Sequence, residues 1–406
     1  MGPTSRRHTP RPTRPHTIHP ETAIAVVLGL CVHGLATARS LWRHEVPVYA
    51  LEKDPHMPGV HTRSARVHLT ESLDGIDLVN TLLSLHAEQA FATRPVLFPI
   101  NDRMTRTIAE HWTSLAPYYR VVWANEQDYV LSLLDKQNIE QRCQTVGLNY
   151  PATRYIRGRE DMVDELGPIP YPVIVKPARP LSQFKAELVR DQQHLIQMIQ
   201  QYSDSLPFLV QRWIPGDDDQ IVFGALFLEN GTIRARFEGA KLRSHPPAMG
   251  QTTAAKCQPD PEVHAATSEF FHGLPISGPV SLEFKRDRDG TLWVIEPTAG
   301  RTDFWVACCI ENGVDLPWLT YRCAIGESLP VSQQRDRTIW MDSQRDPLIY
   351  LSLLARSPFR VVRRRTTFAY FRWRDPVPSI AGAKSLLVRQ LDKRRRAHQE
   401  VESKTL

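Results

Sequence analysis

Two carboxylates are the most informative residues in the chain. Glu283, in Ser-Leu-Glu-Phe-Lys, and Glu296, in Val-Ile-Glu-Pro-Thr, stand on either side of an Asp289-Gly290 turn, which places them on successive strands of one expected hairpin. Both strands are otherwise apolar. An ionised carboxylate there is costly to bury unless paired or bound to a cation, and a hard divalent metal would satisfy both at once. The plainer alternative puts each glutamate on the solvent face of its strand. Lys176 ends the apolar run Val173-Ile174-Val175, and Lys136 follows Asp135 at an expected helix start. Both placements suit ammonium groups that reach polyphosphate oxygens, although either lysine alone also reads as a surface residue. The stretch Leu209-Val210-Gln211-Arg212-Trp213-Ile214-Pro215-Gly216-Asp217-Asp218-Asp219 runs an apolar strand into a tight turn and an acidic triplet. The backbone of such a strand can pair with a purine edge, and a following carboxylate can accept from ribose hydroxyls.

Alternating elements must position these groups. Ala23 to Leu30 reads as a strand, followed by a glycine-bearing loop, a helix over Ala36 to Arg43 and a strand over Val46 to Leu51. A helix over Asp77 to Gln89, a strand over Val96 to Ile100 and a helix over Met104 to Leu115 continue an α/β lobe of Rossmann-like type. From Glu126 two short helices lead to Gly147, a helix stop. A buried-type strand then ends at Lys176, and a helix spans Gln192 to Tyr202. Strands follow at Leu209 to Trp213, Ile221 to Leu228, Thr232 to Lys241, Val280 to Lys285 and Leu292 to Ile295, with hairpin turns at Asn230-Gly231 and Asp289-Gly290. The fold class is therefore α/β followed by α+β. The expected domains are a disordered basic tail (1–21), a Rossmann-like domain (22–125), a strand-rich domain (126–330) and a basic carboxy-terminal extension (331–406).

At 406 residues the chain needs several packed units, and 42% hydrophobic with 23% charged residues marks a globular protein. The six cysteines form no CxxC pair and none has a histidine at metal-ligand spacing. A reducing cytoplasm is the expected compartment, and the adjacent Cys308 and Cys309 read as core packing. The longest apolar run, Ala23 to Ala36, is shorter than the ~20 residues that span a bilayer. The first twenty-odd residues lack the apolar region of a secretory signal and read as a disordered tail or an upstream start codon misassigned. Between Val331 and Leu406 there are 17 Lys and Arg against 7 Asp and Glu, within a chain of net charge +6. This basic region reads as a solvated face or as a dock for an anionic membrane surface, which would make the protein peripheral to the inner face of a membrane.

Taken in order, these pieces resemble the ATP-grasp superfamily, and within it carboxylate–amine ligases similar to D-aspartate ligase, over roughly Ala23 to Pro330. The most specific parts are Asp135-Lys136, Val175-Lys176-Pro177, Gln211 to Asp219, the basic segment Gly239 to Pro247, and Glu283 with Glu296. The resemblance implies an ATP-grasp architecture with an amino-terminal Rossmann-like lobe and a two-lobed nucleotide-binding region. It implies ATP and Mg2+ as cofactors and small-molecule carboxylate and amine substrates. Lys136 and Lys176 would contact the α- and β-phosphates, Gln211, Arg212, Trp213 and Ile214 would form the adenine hinge, and Asp218 or Asp219 would bind ribose. Glu283 and Glu296 would hold magnesium. Lys241 and Arg243 would face the γ-phosphate or the acceptor carboxylate, and Arg301 would stabilise charge on an acyl phosphate. A homodimer is compatible with this picture, and a nucleic-acid partner is not expected.

Two departures stand out. Where many relatives carry Glu-x-Asn-x-Arg, this chain has Glu296-Pro297-Thr298-Ala299-Gly300-Arg301, so the third metal ligand becomes Thr298, with Asp303 as a substitute, and the arginine falls one position later. The loop after Lys176, Ala178 to Gln183, has no glycine to cradle phosphate; Arg179 or Ser182 would compensate. The implied reaction activates a carboxylate as an acyl phosphate and condenses it with an amine, releasing ADP and phosphate. Two rivals stay open. One is a dinucleotide-dependent oxidoreductase, from Gly29 and Gly34 after the first strand. The other is a non-catalytic nucleotide, nucleic-acid or membrane-associated binder, from Thr298 and the basic carboxy-terminal residues Arg363-Arg364-Arg365 and Lys393 to Arg396. Phe368, Tyr370, Phe371 and Trp373 are interleaved there and could stack bases, although their alternation with Thr and Arg equally describes an edge strand packing its aromatic side inward.

Overall fold

The computed structural model describes residues 23–158, 170–178, 184, 186–247, 250–356 and 362–386. The amino-terminal lobe comprises β1 (Ala25–Leu28), α1 (Val32–Arg43), β2 (Val48–Glu52), β3 (Arg66–Leu69), α2 (Gly75–Gln89), β4 (Val96–Pro99), α3 (Asp102–Glu110) and α4 (Trp112–Leu115). Its sheet has the order β3-β2-β1-β4 with every pair parallel. Strands β1 and β4 are wholly buried, as continuous apolar runs in a parallel sheet should be. The single helix expected over Met104 to Leu115 is two, broken at His111, whose backbone leaves the helical region.

Two helices, α5 (Gln127–Leu133) and α6 (Lys136–Thr145), lead into a small sheet. It is formed by β5 (Thr153–Ile156), β6 (Val173–Pro177), β7 (Glu187–Val189) and, after α7 (Gln192–Gln201), β8 (Phe208–Arg212). The order β5-β8-β6-β7 is antiparallel throughout. Its apolar face, including Ile156, Val173, Val175, Phe208 and Val210, packs on Leu195, Met198 and Ile199 of α7.

The remaining chain builds a seven-stranded sheet from β9 (Ile221–Glu229), β10 (Thr232–His245), β11 (Gln251–Cys257), β12 (Gly278–Arg286), β13 (Leu292–Ala299), β14 (Thr338–Met341) and β15 (Arg365–Phe368). The helices α8 (Pro261–Phe271), α9 (Val306–Glu311), α10 (Leu316–Ala324) and α11 (Ile349–Arg356) interrupt it, and the order is β13-β12-β9-β10-β11-β14-β15. Strand β9 is buried on both faces. Phe223, Ala225 and Phe227 pack with Val306, Cys308 and Cys309 of α9, while Val222, Leu226 and Leu228 pack with Val263, Phe270 and Phe271 of α8. Cys308 and Cys309 are thus core, as expected. The Asn230-Gly231 turn has positive φ at both residues (49° and 75°), the geometry of a two-residue hairpin whose twist matches its strands.

Helix α1 joins the lobes. It is buried from Val32 through Leu41: Ala38 and Leu41 belong to the amino-terminal core, and Val32, Leu35 and Ala36 to the core of the large sheet. The segment read as a basic extension supplies β14 and β15 to that sheet, and Asp375 accepts from Arg39 Nε (2.8 Å), Thr62 Oγ1 (2.6 Å) and the Arg63 amide (3.1 Å) of the amino-terminal lobe. The tail 1–21, Arg179, Ser182 and Lys393 to Arg396 lie outside the described residues. Among the described residues no helix is long and apolar enough to cross a membrane.

Candidate active site

Glu283 and Glu296 are direct cross-strand partners on β12 and β13, and Ser281 stands opposite Thr298 one step along the same face. Directly opposed residues project to the same side of a sheet, so both carboxylates and the threonine share one face. Lys241 Nζ, from β10, lies 3.7 Å from Glu283 Oε1. Glu296 is exposed to solvent as a residue, yet protein packs densely around its carboxyl group. That crowding raises its pKa, and Asp102 pushes in the same direction, while Lys136, Lys176 and Arg301 oppose the rise. Thr298 is buried and donates to Asp303 Oδ2 at 3.2 Å.

The small sheet brings the phosphate-type cations to this face. Lys176 Nζ donates to Gln211 Oε1 (3.3 Å), and Gln211 Nε2 donates to Thr153 Oγ1 (3.0 Å). Gln211 is therefore a side-chain strut beneath Lys176 as well as part of the expected hinge. Lys136, the first residue of α6, donates to Pro177 O at 3.5 Å.

Sequence reasoning missed Lys285. By alternation it shares the face of Glu283 on β12, is 6% exposed, donates to Gly216 O at 2.7 Å, and lies 4.3 Å from the centre of the Trp213 ring. Burial lowers its pKa; Lys241 and Lys176 add to the fall, and Asp218 and Asp217 resist it. Lys285 is thus within electrostatic reach of both Lys241 and Lys176. The alternation of β12 was a usable signal, since Lys285 is two residues beyond Glu283.

The other named residues divide by orientation. Ile214 is buried, and Arg212 turns outward to stack on Trp293 at 5.1 Å. Asp218 accepts from the Ser244 amide (2.8 Å) and hydroxyl (2.6 Å), which ties it to β10, whereas Asp219 is exposed. Arg243 Nε pairs with Asp346 at 2.7 Å, toward the carboxy-terminal segment. Arg301 Nε donates to Asp102 Oδ1 of α3 at 2.6 Å, and its neighbouring carboxylates hold it firmly protonated despite burial. Its position after an inserted residue has a local cause. Gly300 has φ 73°, its carbonyl accepts from Trp123 Nε1 at 2.9 Å, and a Cβ there would lie 2.8 Å from that nitrogen.

Among the described residues no group of three or more His, Cys, Asp and Glu side chains gathers as a metal site. A pair of carboxylates with a hydroxyl nonetheless suits magnesium, which takes one or two protein carboxylates and completes its shell with phosphate oxygens and water. The raised pKa of Glu296 fits, because a nearby cation would favour the ionised form.

Glu52 at the end of β2 ties the glycine loop after β1 to the loop after β2, accepting from the Leu30 amide at 2.7 Å and from the Lys53 and Asp54 amides at 2.9 and 3.1 Å. A Cβ at Gly34 would lie 2.1 Å from Gly29 O, so that glycine serves close packing of helix on loop.

No protein-family model matches the chain. It is 26% identical over 212 residues to the carbamoyl phosphate synthase large chain of Gemmatimonas aurantiaca, covering 48% of this chain and 18% of that protein. It is 23% identical over 223 residues to the chloroplastic arginine-specific large chain of Oryza sativa subsp. japonica, covering 49% and 19%. The chain spans less than a fifth of the length of either relative. Among solved structures, N5-carboxyaminoimidazole synthetase of Staphylococcus aureus complexed with ADP matches with TM-score 0.60 at 15% identity, covering 77% of this chain and 80% of that one. The L-amino acid ligase of Bacillus licheniformis matches with TM-score 0.56 at 15% identity, covering 77% and 75%. The biotin carboxylase domain of Hydrogenobacter thermophilus 2-oxoglutarate carboxylase, with MgADP and bicarbonate, matches with TM-score 0.59 at 15% identity, covering 78% and 73%. At these identities the likeness is one of fold.

Proposed function

We propose, on the premise of an ATP-grasp fold, that this chain is an ATP-dependent carboxylate–amine ligase using ATP and Mg2+. The observation that carries the reading is the direct opposition of Glu283 and Glu296 on one face of β12 and β13, with Lys176, Lys241 and Lys285 around them. Fold neighbours crystallised with ADP or MgADP, and a further fold neighbour that is an L-amino acid ligase, support it.

Magnesium, when bound, neutralises charge that spreads over the transferring phosphoryl oxygens. Glu283, Glu296 and Thr298 are the residues to hold it. The chain from Gln211 to Ile214 offers backbone groups to a base, and Asp219 is free to face a ribose while Asp218 fixes β10. Lys136 and Lys176 bind phosphate from the small-sheet side, Lys241 and Lys285 from the large-sheet side. Arg301, oriented by Asp102, presents a permanent positive charge where an acyl phosphate and its tetrahedral successor would carry negative charge. Closure of the two sheets would keep water from the activated carboxylate.

The experiment is ADP release from Mg-ATP over a panel of carboxylates and amines, with mass spectrometry of the products. An amide formed in step with ADP, and lost in Glu296→Gln, is expected. A folded protein that binds no ATP, or a Glu296→Gln variant with unchanged ligation, would overturn the reading.

A further inference from the structure

We infer that Cys31 and His33 form a nucleophilic thiol site, open to small soft electrophiles, at the seam between the amino-terminal lobe and the large sheet. This inference does not depend on the ligase reading. Cys31 is the N-cap residue of the twelve-residue helix α1, and its Sγ lies 3.2 Å from His33 Nδ1 and 3.7 Å from Nε2. His33 is 3% exposed, and its Nε2 sits 2.5 Å from Ile100 O. A carbonyl only accepts, so Nε2 carries the ring proton and Nδ1 of the neutral ring is the base that faces the thiol. A nucleophile, a base and a group that orients the base are therefore assembled within hydrogen-bond reach. Phe304 packs edge-on against the imidazole with ring centres 4.7 Å apart, which fixes its plane.

As a residue Cys31 is intermediate in exposure, whereas Cys143, Cys257, Cys308 and Cys309 are buried. Burial would raise the Cys31 pKa, but the charge and hydrogen bond of His33, with the amides of Gly34 and His33, outweigh it and bring the thiol below its ordinary value. Burial instead pushes Cys257 and Cys323 up to about 11 and Cys143 up to about 12. Burial and Arg301 disfavour the protonated imidazole, but the charge and hydrogen bond of Cys31, with the Ile100 carbonyl, outweigh them and raise the His33 pKa above its ordinary value. Tyr370 and Glu52 are the other ionisable groups facing this corner. With iodoacetamide the sulfur attacks the methylene carbon, the S–C bond forms as the C–I bond breaks, iodide leaves, and His33 takes the thiol proton.

The test is to treat the full native chain with limiting iodoacetamide and map the adducts by peptide mass spectrometry. Cys31 should be labelled about tenfold faster than Cys323, the other cysteine of intermediate exposure. His33→Gln keeps a donor for Ile100 O but removes the base, and should slow labelling of Cys31 about tenfold. Cys31→Ser should abolish the fast phase. Labelling of wild-type Cys31 no faster than that of Cys323 would overturn the site, and this comparison needs no variant. A His33→Gln protein with unchanged melting temperature that labels at the wild-type rate would overturn the role of the imidazole.

Discussion

Arg301, which follows the last strand of the carboxylate hairpin, is held by Asp102 at the start of α3 in the other lobe, Nε to Oδ1 at 2.6 Å. The guanidinium is 11% exposed and the carboxylate 35%, so the pair spans the seam where two lobes meet. Asp102→Asn keeps an acceptor but removes the charge. Turnover should fall about tenfold with ATP affinity unchanged, as expected for loss of orientation at a charged group. Steady-state kinetics with a separate ATP titration would check this, and equal losses in both would reassign Asp102 to nucleotide binding.

Because Glu283 and Glu296 face each other directly, neutralising either should remove most of the magnesium-dependent part of ATP binding. At ATP 100 times its Kd, ligand stabilisation is about 2.7 kcal/mol. Thermal melts of Glu283→Gln and Glu296→Gln with Mg-ATP should show little of the wild-type rise, with melting temperatures close to wild type when ligand is absent.

Lys285 donates to Gly216 O from a buried position. Lys285→Met should weaken ATP binding by roughly 10- to 100-fold, the loss of one charge-assisted contact. Its lowered pKa means that the unfolded chain holds this proton more tightly, so the charged lysine costs stability below its folded pKa and the cost fades as pH rises. The ligand-free variant should melt no lower than wild type at neutral pH. A melting temperature several degrees lower would show that its contacts to Gly216 and Trp213 are structural.

Asp375 closes a buried junction with Arg39, Thr62 and the Arg63 amide. Asp375→Ala leaves the buried Arg39 guanidinium with backbone carbonyls of Ala369, Tyr370 and residue 375 but no paired carboxylate, and should cost about 3–5 kcal/mol, read as a fall in denaturant midpoint. A shift within error of wild type would detach the carboxy-terminal segment from the stability of the amino-terminal lobe.

Glu238 is 4% exposed on its side chain, and burial raises its pKa, with Asp260 adding to the rise and Arg236 opposing it. A carboxyl raised in the folded state costs stability once ionised, and the cost disappears as pH falls through its folded value into the ordinary carboxylate range. Glu238→Gln should therefore melt higher than wild type at about pH 8 and lose that advantage near pH 4. A variant less stable at both would mean that the ion pairs of Glu238 outweigh its burial.

The sequence by itself determined the groups that bear charge in apolar surroundings. Glu283, Glu296 and Lys176 stand out because strand periodicity is local, and a carboxylate or ammonium within an apolar strand is anomalous wherever the strand is placed. The turn at Asn230-Gly231 and the buried runs of β1, β4 and β9 are legible for the same reason. Only the tertiary structure decided what depends on distant segments: that Glu52 accepts from the Leu30 amide in the loop after β1, that Lys285 turns toward Gly216, that Asp102 holds Arg301, and that Asp375 reaches back to Arg39. The strands β11 and β14 also escaped, because their pairing partners, not their own short and mixed sequences, make them strands, whereas the alternation of Thr, Arg and aromatic residues near Phe368 left the edge strand β15 legible. Each of these features joins residues far apart in the chain, and spacing along a sequence carries no information about which of its many charges will meet.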